Sequence, residues 1–257
     1  MVDYAEFPEQ RQEKIKQFLM QDGKVICAHL ARTLNVSEHT IRRDLKELAG
    51  LGLCKRVYGG AVSVLPAAGS FLGREKIGSA IKERIARRTV ALLRPDHCVF
   101  FDAGTTNLAI ARQLPEDLRL TAVTSSPLIA AELMRYDRIE VIFTGGRINK
   151  EIGGAVGIDT LRQIEKMTFD QCLLGACAFD ADEGLTVFEY DDAEFKRCLV
   201  KRSSEIIVTL TADKLSALAR YQVASCDDVT TLVTSDAIHA HTLSLLREKN
   251  LDVIIAP

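Results

Sequence analysis

The stretch Val36-Ser37-Glu38-His39-Thr40-Ile41-Arg42-Arg43-Asp44-Leu45-Lys46-Glu47-Leu48 decides how the amino-terminal part of this chain is read. At about 100° per residue, Ile41, Leu45 and Leu48 fall in one narrow stripe that can pack on other helices. Ser37 stands where an N-cap is wanted, and Glu38 sits favourably against the positive end of the helix dipole. His39, Arg43 and Lys46 lie opposite the stripe, with Thr40 and Arg42 on its flanks. A short helix anchored by three aliphatics and presenting His, Arg and Lys from its first turns has the form of a recognition helix that enters a DNA major groove. Arginine pairs bidentately with guanine O6 and N7, whereas lysine more often neutralises phosphate.

Upstream, Ile15, Phe18 and Leu19 repeat at helical spacing over 9–21, Gly23 ends that pattern, and Ile26, Leu30, Ala31 and Leu34 define a second, shorter helix. Asn35 stands where the chain must turn sharply, a position that asks for a residue tolerant of left-handed backbone. Helix, tight turn, helix is therefore expected over about 25–44. Downstream, Gly50 and Gly52 end the third helix, and the residues before Gly59-Gly60 suit a short β-hairpin wing, with Lys55 and Arg56 in reach of phosphates. The candidate DNA-binding residues are Ser37, His39, Thr40, Arg42, Arg43, Lys46, Lys55 and Arg56.

These residues resemble the winged helix-turn-helix of bacterial transcription regulators of the DeoR type. The resemblance runs through Val36 to Leu48 and resumes at Gly59-Gly60-Ala61. Tyr58 departs from it, since the family usually has His before the two glycines, and it takes no role from the resemblance.

Charge agrees with a polyanion-binding segment. The whole chain of 257 residues has 33 Lys and Arg against 35 Asp and Glu, a formal net charge of −2. Residues 11–62 carry ten basic and five acidic side chains, whereas the chain from 63 onward has 23 and 27. The near-neutral total is a cancellation between a basic reader and an acidic body. At 47% hydrophobic and 26% charged, the composition excludes a disordered or collagenous chain. No apolar run approaches a membrane span, and Met1 to Gln12 lacks the pattern of a secretory signal, so a soluble cytoplasmic protein is expected. Seven cysteines without a Cys-x-x-Cys suit a reducing compartment.

From Val62 the texture changes to small residues and breakers around Pro66. The expected division is a DNA-binding domain at 1–62, a linker at 63–74 and a second domain at 75–257, opening with a helix at 79–93. In that second domain, strand-like runs at 98–102, 120–124, 139–144, 171–174, 205–210, 229–234 and 251–255 alternate with helical patterns at 107–114, 128–136, 192–202 and 239–249. That rhythm predicts an α/β domain with a largely parallel sheet covered by helices.

Ligands of such sheets sit beyond the carboxyl ends of the strands. Asp102, Gly104, Thr105 and Thr106 follow the first strand, Thr124, Ser125 and Ser126 the second, and Gly145 and Gly146 the third. Hydroxyls, close backbone and free helix N–H groups together suit a small phosphorylated or hydroxylated ligand. Lys196, Arg197 and Lys214 are the candidate cations for its phosphate. No Walker loop or dinucleotide fingerprint is present, and His239-x-His241 lacks a third ligand at a recognisable spacing. No cofactor or metal is expected.

The DeoR-type resemblance extends over this domain through Asp102-Ala103-Gly104-Thr105-Thr106, Thr144-Gly145-Gly146, Val156-Gly157, Phe169-Asp170, Leu174-Gly175-Ala176, Gly184-Leu185-Thr186 and Lys196-Arg197. It implies an effector domain similar in fold to ribose-5-phosphate isomerase that senses phosphorylated sugars, and a repressor of a carbohydrate-use operon. Two departures touch ligand loops: Ser125 stands where the family has Asn, and Thr211 where it has Asp. The expected partners are a duplex operator, a phosphorylated sugar or related effector, and further copies of the chain in a dimer or tetramer, because half-sites are read by symmetric pairs. The alternative is an isomerase-like enzyme with an appended helical domain, for which Asp102, Asp170, Glu194 and Lys196 are the acid–base candidates.

Overall fold

The structure is a computed structural model that describes residues 7–22, 24–64, 69–249 and 251–257. Gly23 and the linker residues Leu65, Pro66, Ala67 and Ala68 lie outside the described residues.

The amino-terminal part runs α1 (Pro8–Asp22), β1 (Lys24–Ile26), α2 (Cys27–Thr33), α3 (Glu38–Gly50), β2 (Cys54–Val57) and β3 (Gly60–Val64). Asn35 takes a left-handed φ of 52° in the turn between α2 and α3. The Ser37 hydroxyl caps α3 by accepting from Thr40 N–H at 3.1 Å. Ile15, Leu19, Leu30, Leu34, Ile41, Leu45 and Leu48 close into one core. Each aliphatic so buried contributes about 1.5–3 kcal/mol.

Two features differ from the pattern read in the sequence. Ile26 does not join the second helix: it ends β1, a strand that pairs antiparallel with β3, and its side chain is 59% exposed. Three residues of strand between two helices are too few to show a period of two. The second feature is a buried charge pair, in which Arg11 of α1 gives Nε to Asp44 Oδ2 at 2.5 Å and Nη2 to Oδ1 at 3.0 Å.

Gly59 and Gly60 serve different ends. Gly59 turns the β2–β3 hairpin with φ 80°, and its carbonyl accepts from Cys27 N–H at 2.8 Å. At Gly60 a Cβ would stand 1.9 Å from the Val25 carbonyl oxygen, so only glycine lets β3 lie against β1.

The remainder begins with α4 (Phe71–Lys76), which straddles the expected linker end at 74, and α5 (Ser79–Val90). There follow β4 (Cys98–Phe101), α6 (Thr105–Ala111), β5 (Leu120–Thr124), α7 (Pro127–Leu133), β6 (Ile139–Phe143), β7 (Ile148–Asn149), β8 (Gly154–Ala155) and α8 (Ile158–Ile164). Then come β9 (Phe169–Gly175), β10 (Ala178–Asp180), β11 (Gly184–Val187), α9 (Tyr190–Arg202), β12 (Ser203–Thr209), a 3₁₀ turn (Ala212–Lys214), β13 (Ala217–Leu218), β14 (Tyr221–Ala224), β15 (Thr231–Ser235), α10 (Ala240–Glu248) and β16 (Asp252–Ala256).

Seven strands form one sheet in the order β16-β15-β12-β9-β4-β5-β6, every neighbouring pair parallel. These are the seven strand runs read in the sequence. Alternation along them builds two cores: Phe100, Cys172, Leu174 and Val208 face α8, α9 and α10, while Val99, Phe101, Leu173 and Ile207 face α5, α6 and α7. From β4 the order proceeds one way to β5 and β6, and from β9 the other way to β12, β15 and β16. The topological switch therefore lies between β4 and β9, where doubly wound sheets open a crevice at their carboxyl ends.

Short pieces went unread: α4, α8, the β7–β8 pair and the β10-β11-β14 sheet. A further short strand, β13, joins the two parts of the chain by pairing parallel with β3, Ala217 against Ser63 and Leu218 against Val64.

Candidate functional site

On α3, His39, Arg42, Arg43 and Lys46 are exposed and Thr40 is half-buried, all opposite the buried Ile41, Leu45 and Leu48. Arg42 is held by Glu38 at 2.8 Å one turn earlier, whereas Arg43 and Lys46 have no ion-pair partner among the described residues. Lys55 and Arg56 are exposed on β2, and Tyr58 projects fully from the hairpin tip. Ser37 is spent as the cap of α3. This surface is a helix face on which Arg43 and Lys46 are uncommitted cations, with a basic wing beside it, an arrangement of the kind that suits a major groove and its flanking backbone.

At the switch point, Asp102 follows β4 and is buried. Its Oδ2 accepts from Gly175 N–H, at the end of β9, at 2.8 Å and pairs with Lys196 Nζ at 2.8 Å. Lys196 reaches down from α9, where it also pairs with Asp192, one turn earlier, at 2.7 Å. Asp192, Phe195, Lys196 and Leu199 share the buried stripe of α9. Burial alone pulls the Lys196 ammonium down, but the two carboxylates outweigh it and hold it above its usual range. Burial pushes the Asp102 carboxyl up, against the pull of Lys196 and the Gly175 N–H. Lys196 is thus not the free phosphate cation that the sequence suggested. It is the counter-ion of two buried acids.

Two polar atoms here are buried without a hydrogen-bond partner: Asp102 Oδ1 and Ser125 Oγ. They belong to the loops after β4 and β5, which lie side by side. Gly154 of the short strand β8, which the sequence did not suggest, crosses against both, since a Cβ there would meet Ala103 Cβ at 2.6 Å and Ser125 Oγ at 3.0 Å. A buried acceptor and a buried hydroxyl left unsatisfied carry a desolvation cost that a polar partner would remove.

Other residues expected in the site turn out to brace it. Thr124 donates its hydroxyl to Phe101 O at 2.7 Å and accepts from Ser126 N–H, and Ser126 donates to Gly153 O at 2.8 Å. The space beside Gly146 is occupied by Thr160 of α8, whose hydroxyl donates to Gly145 O at 3.1 Å. Gly104 and Thr105 are half-buried at the start of α6, with Thr106 buried behind them. Asn107, to which the sequence assigns no role, locks this corner: its amide donates to Asp102 O and Leu173 O, and its Oδ1 accepts from Thr209. Lys214 enters the site from the 3₁₀ turn after β12, donating to Ala176 O at 3.2 Å. Arg197 points away to Gln222 O and Glu194.

The acid–base set weighed for an isomerase does not assemble. Asp170 stands at the opposite end of β9, accepting from Cys98 N–H at 2.8 Å, and Glu194 pairs with Arg197. Only Asp102 and Lys196 meet. Among the described residues no three His, Cys, Asp or Glu gather as a metal site, and no helix is long and apolar enough to cross a membrane.

Comparison with known proteins accounts for both halves. The DeoR-like helix-turn-helix domain matches residues 11–66, and the DeoR C terminal sensor domain matches residues 78–236. An HTH-type transcriptional regulator GolR of Listeria innocua is 34% identical over 97% of this chain and 99% of its own length. A glycerol-3-phosphate regulon repressor of Haemophilus influenzae is 31% identical over 95% of this chain and 96% of its own. Among solved structures, ribose 5-phosphate isomerase A of Methanocaldococcus jannaschii aligns with 53% of this chain and 54% of that one, at 15% identity and a TM-score of 0.39. With both domain types matched in order, and relatives that align from end to end, the chain belongs to the DeoR family of transcriptional regulators.

Proposed function

We propose that this chain represses a carbohydrate-use operon by sequence-specific binding of its operator in the cytoplasm, and that a phosphorylated sugar or related metabolite at the β4–β9 crevice modulates that binding. The carrying observation is the exposed His39, Arg42, Arg43 and Lys46 face of α3 with Lys55 and Arg56 on the adjoining wing. The reading assigns residues 1–62 to the DNA, 63–74 to the connection and 75–257 to the effector, and it places two or more copies on a symmetric operator.

In the crevice, Asp102 Oδ1 accepts from a sugar hydroxyl and Ser125 Oγ bonds a second polar group, with Gly104, Thr105 and Thr106 along the wall. A ligand alters operator affinity only through different affinities for two arrangements of the protein. A path for that difference exists: Lys214 is followed after Leu215 and Ser216 by β13, which is hydrogen-bonded to wing strand β3. Ser216 makes the bend with a left-handed φ of 52°.

Selecting duplexes from a random-sequence library with the full chain, then measuring affinity for the selected and a scrambled duplex, tests the reading. A selected sequence bound far more tightly than the scrambled one, with the difference abolished in an Arg42→Ala/Arg43→Ala variant, is expected. Equal binding of both duplexes by the unaltered chain would overturn it.

A further inference from the structure

Tyr58 departs from the family pattern and has no packing role in the fold. It is fully exposed at the tip of the β2–β3 hairpin, where Val57 and Gly60 pair across the turn. Gly59 supplies the positive φ of that turn, 80°, so Tyr58 keeps ordinary backbone and only its side chain projects. The tip is pinned, because Gly59 O accepts from Cys27 N–H at the start of α2 at 2.8 Å. At its other end β2 is anchored under α3 by the Cys54 thiol, whose Sγ lies 3.7 Å from Leu45 O. The phenol ring is therefore carried by a braced hairpin, at a set place relative to the exposed face of α3.

The residues around it are apolar. Gly60 pairs with Val57 on one side and with Ile26 on the other, so those two side chains share a face of the sheet. Val57 is 42% exposed and Ile26 59%. Single exposed apolar residues are ordinary, but three at one tip mark a contact surface. Charge names the partner: between Cys54 and Val64 there are two cations, Lys55 and Arg56, both exposed, and no acid. A basic stem suits phosphates, whereas a neutral aromatic tip does not. The stem from Cys54 to Val57 spans about 10 Å at the usual strand rise. That exceeds half the roughly 12 Å width of a major groove. With α3 in the groove, the stem follows the sugar-phosphate wall and the tip passes it into the adjoining minor groove. A planar ring fits a groove about 6 Å wide, where apolar side chains of other minor-groove binders also lodge. Its O–H can donate to adenine N3 or thymine O2, but not to the guanine amino group, which is itself a donor.

We propose that Tyr58 reads the minor groove of the operator beside the segment read by α3, its ring against the sugars and its hydroxyl on an A·T base edge. The inference rests on the regulator reading above. It adds a second determinant of sequence, on an element to which that reading gave only phosphate contacts. Minor-groove readout separates A·T from G·C and little more, so A·T pairs are expected to flank each half-site.

The operator selected with the full chain carries the test. Base pairs flanking the segment protected by α3, located by footprinting, are changed to G·C or to inosine·C. Inosine lacks the guanine amino group, so inosine·C resembles G·C in the major groove and A·T in the minor groove. For the unaltered chain, G·C is expected to weaken binding about tenfold and inosine·C to leave it unchanged. Tyr58→Ala is expected to bind the original operator about tenfold more weakly. Tyr58→Phe keeps part of that affinity, and both variants lose the preference for inosine·C over G·C. Amide protection at Cys27 by hydrogen exchange establishes that the hairpin tip stays docked in each variant. Selection of G·C at the flanks, or equal losses on inosine·C and G·C by the unaltered chain, overturns the minor-groove assignment. A Tyr58→Ala variant that keeps full affinity, or loses it with the flank preference intact, overturns the role of Tyr58. Specific binding that persists without any part played by Tyr58 sinks only this inference, whereas an unaltered chain with no specific binding sinks the regulator reading as well.

Discussion

Lys196 Nζ stands 2.8 Å from Asp102 Oδ2, both side chains buried, and joins α9 to the end of β4 across the sheet's switch point. Asp192 makes the pair a triad, in which one ammonium serves two carboxylates. Replacing Lys196 with Met leaves two buried acids facing each other, which costs about 3–5 kcal/mol by the usual penalty for an orphaned buried charge. Urea denaturation at neutral pH measures it. A Lys196→Met/Asp102→Asn double variant recovers part of the loss, since one charge fewer remains to be protonated or repelled. A single variant as stable as the unaltered chain would show that the triad is not what ties α9 to β4.

Arg11 and Asp44 set the angle between α1 and α3 through a two-point buried ion pair. Arg11→Met is expected to destabilise the amino-terminal domain by about 3–5 kcal/mol. Because Asp44 shares α3 with Arg43, the same change lowers operator affinity without touching a DNA-facing side chain. Limited proteolysis of the amino-terminal part, scored beside DNA binding, checks both effects.

Both buried pairs also show where reading from sequence stops. The seven strands of the main sheet, the Asn35 turn and the Ser37 cap were legible because each rests on a local rule: apolar runs between breakers, left-handed tolerance, a hydroxyl before a helix. Arg11, Asp44, Asp192 and Lys196 obey no local rule that separates them from solvated charges. The one available signal was periodicity, since Asp44 falls beside Ile41, Leu45 and Leu48, and Lys196 on the stripe of Phe195 and Leu199. A charge at a core position asks for a partner, which sequence spacing alone does not identify.

Gly60→Ala tests the docking of the wing. The added methyl would sit 1.9 Å from Val25 O, so β3 must separate from β1 while the hairpin itself keeps its Gly59 turn. Loss of amide protection at Val25 and Ala61 by hydrogen exchange is expected, together with weaker DNA binding through misplaced Lys55 and Arg56. Gly50→Ala, where nothing lies within 4 Å of the added carbon, is the matched control.

Recognition and backbone contacts separate by salt and by sequence. Arg43→Ala is expected to cost about 1–3 kcal/mol on the selected operator and little on a scrambled duplex, if it reads a base edge. Lys55→Ala weakens both duplexes alike and reduces the slope of log affinity against log salt by about one. Anisotropy titrations at several salt concentrations distinguish the two. A Lys55 variant with an unchanged slope would remove the wing from the phosphate backbone.

The depressed Lys82 gives the stability of the fold a pH signature. Lys214 and Arg74 face Lys82 as cations and Asp213 and Glu75 as acids, and burial with the two cations prevails, bringing it to about 8. Between pH 8 and the ordinary lysine value of 10.5, the unfolded chain holds a proton at this position that the folded chain has released. This contribution therefore rises with pH across that window and is absent from a Lys82→Met variant. Urea denaturation of both proteins at pH 7 and 9.5 reads it, and an equal rise in both would assign the titration to another group.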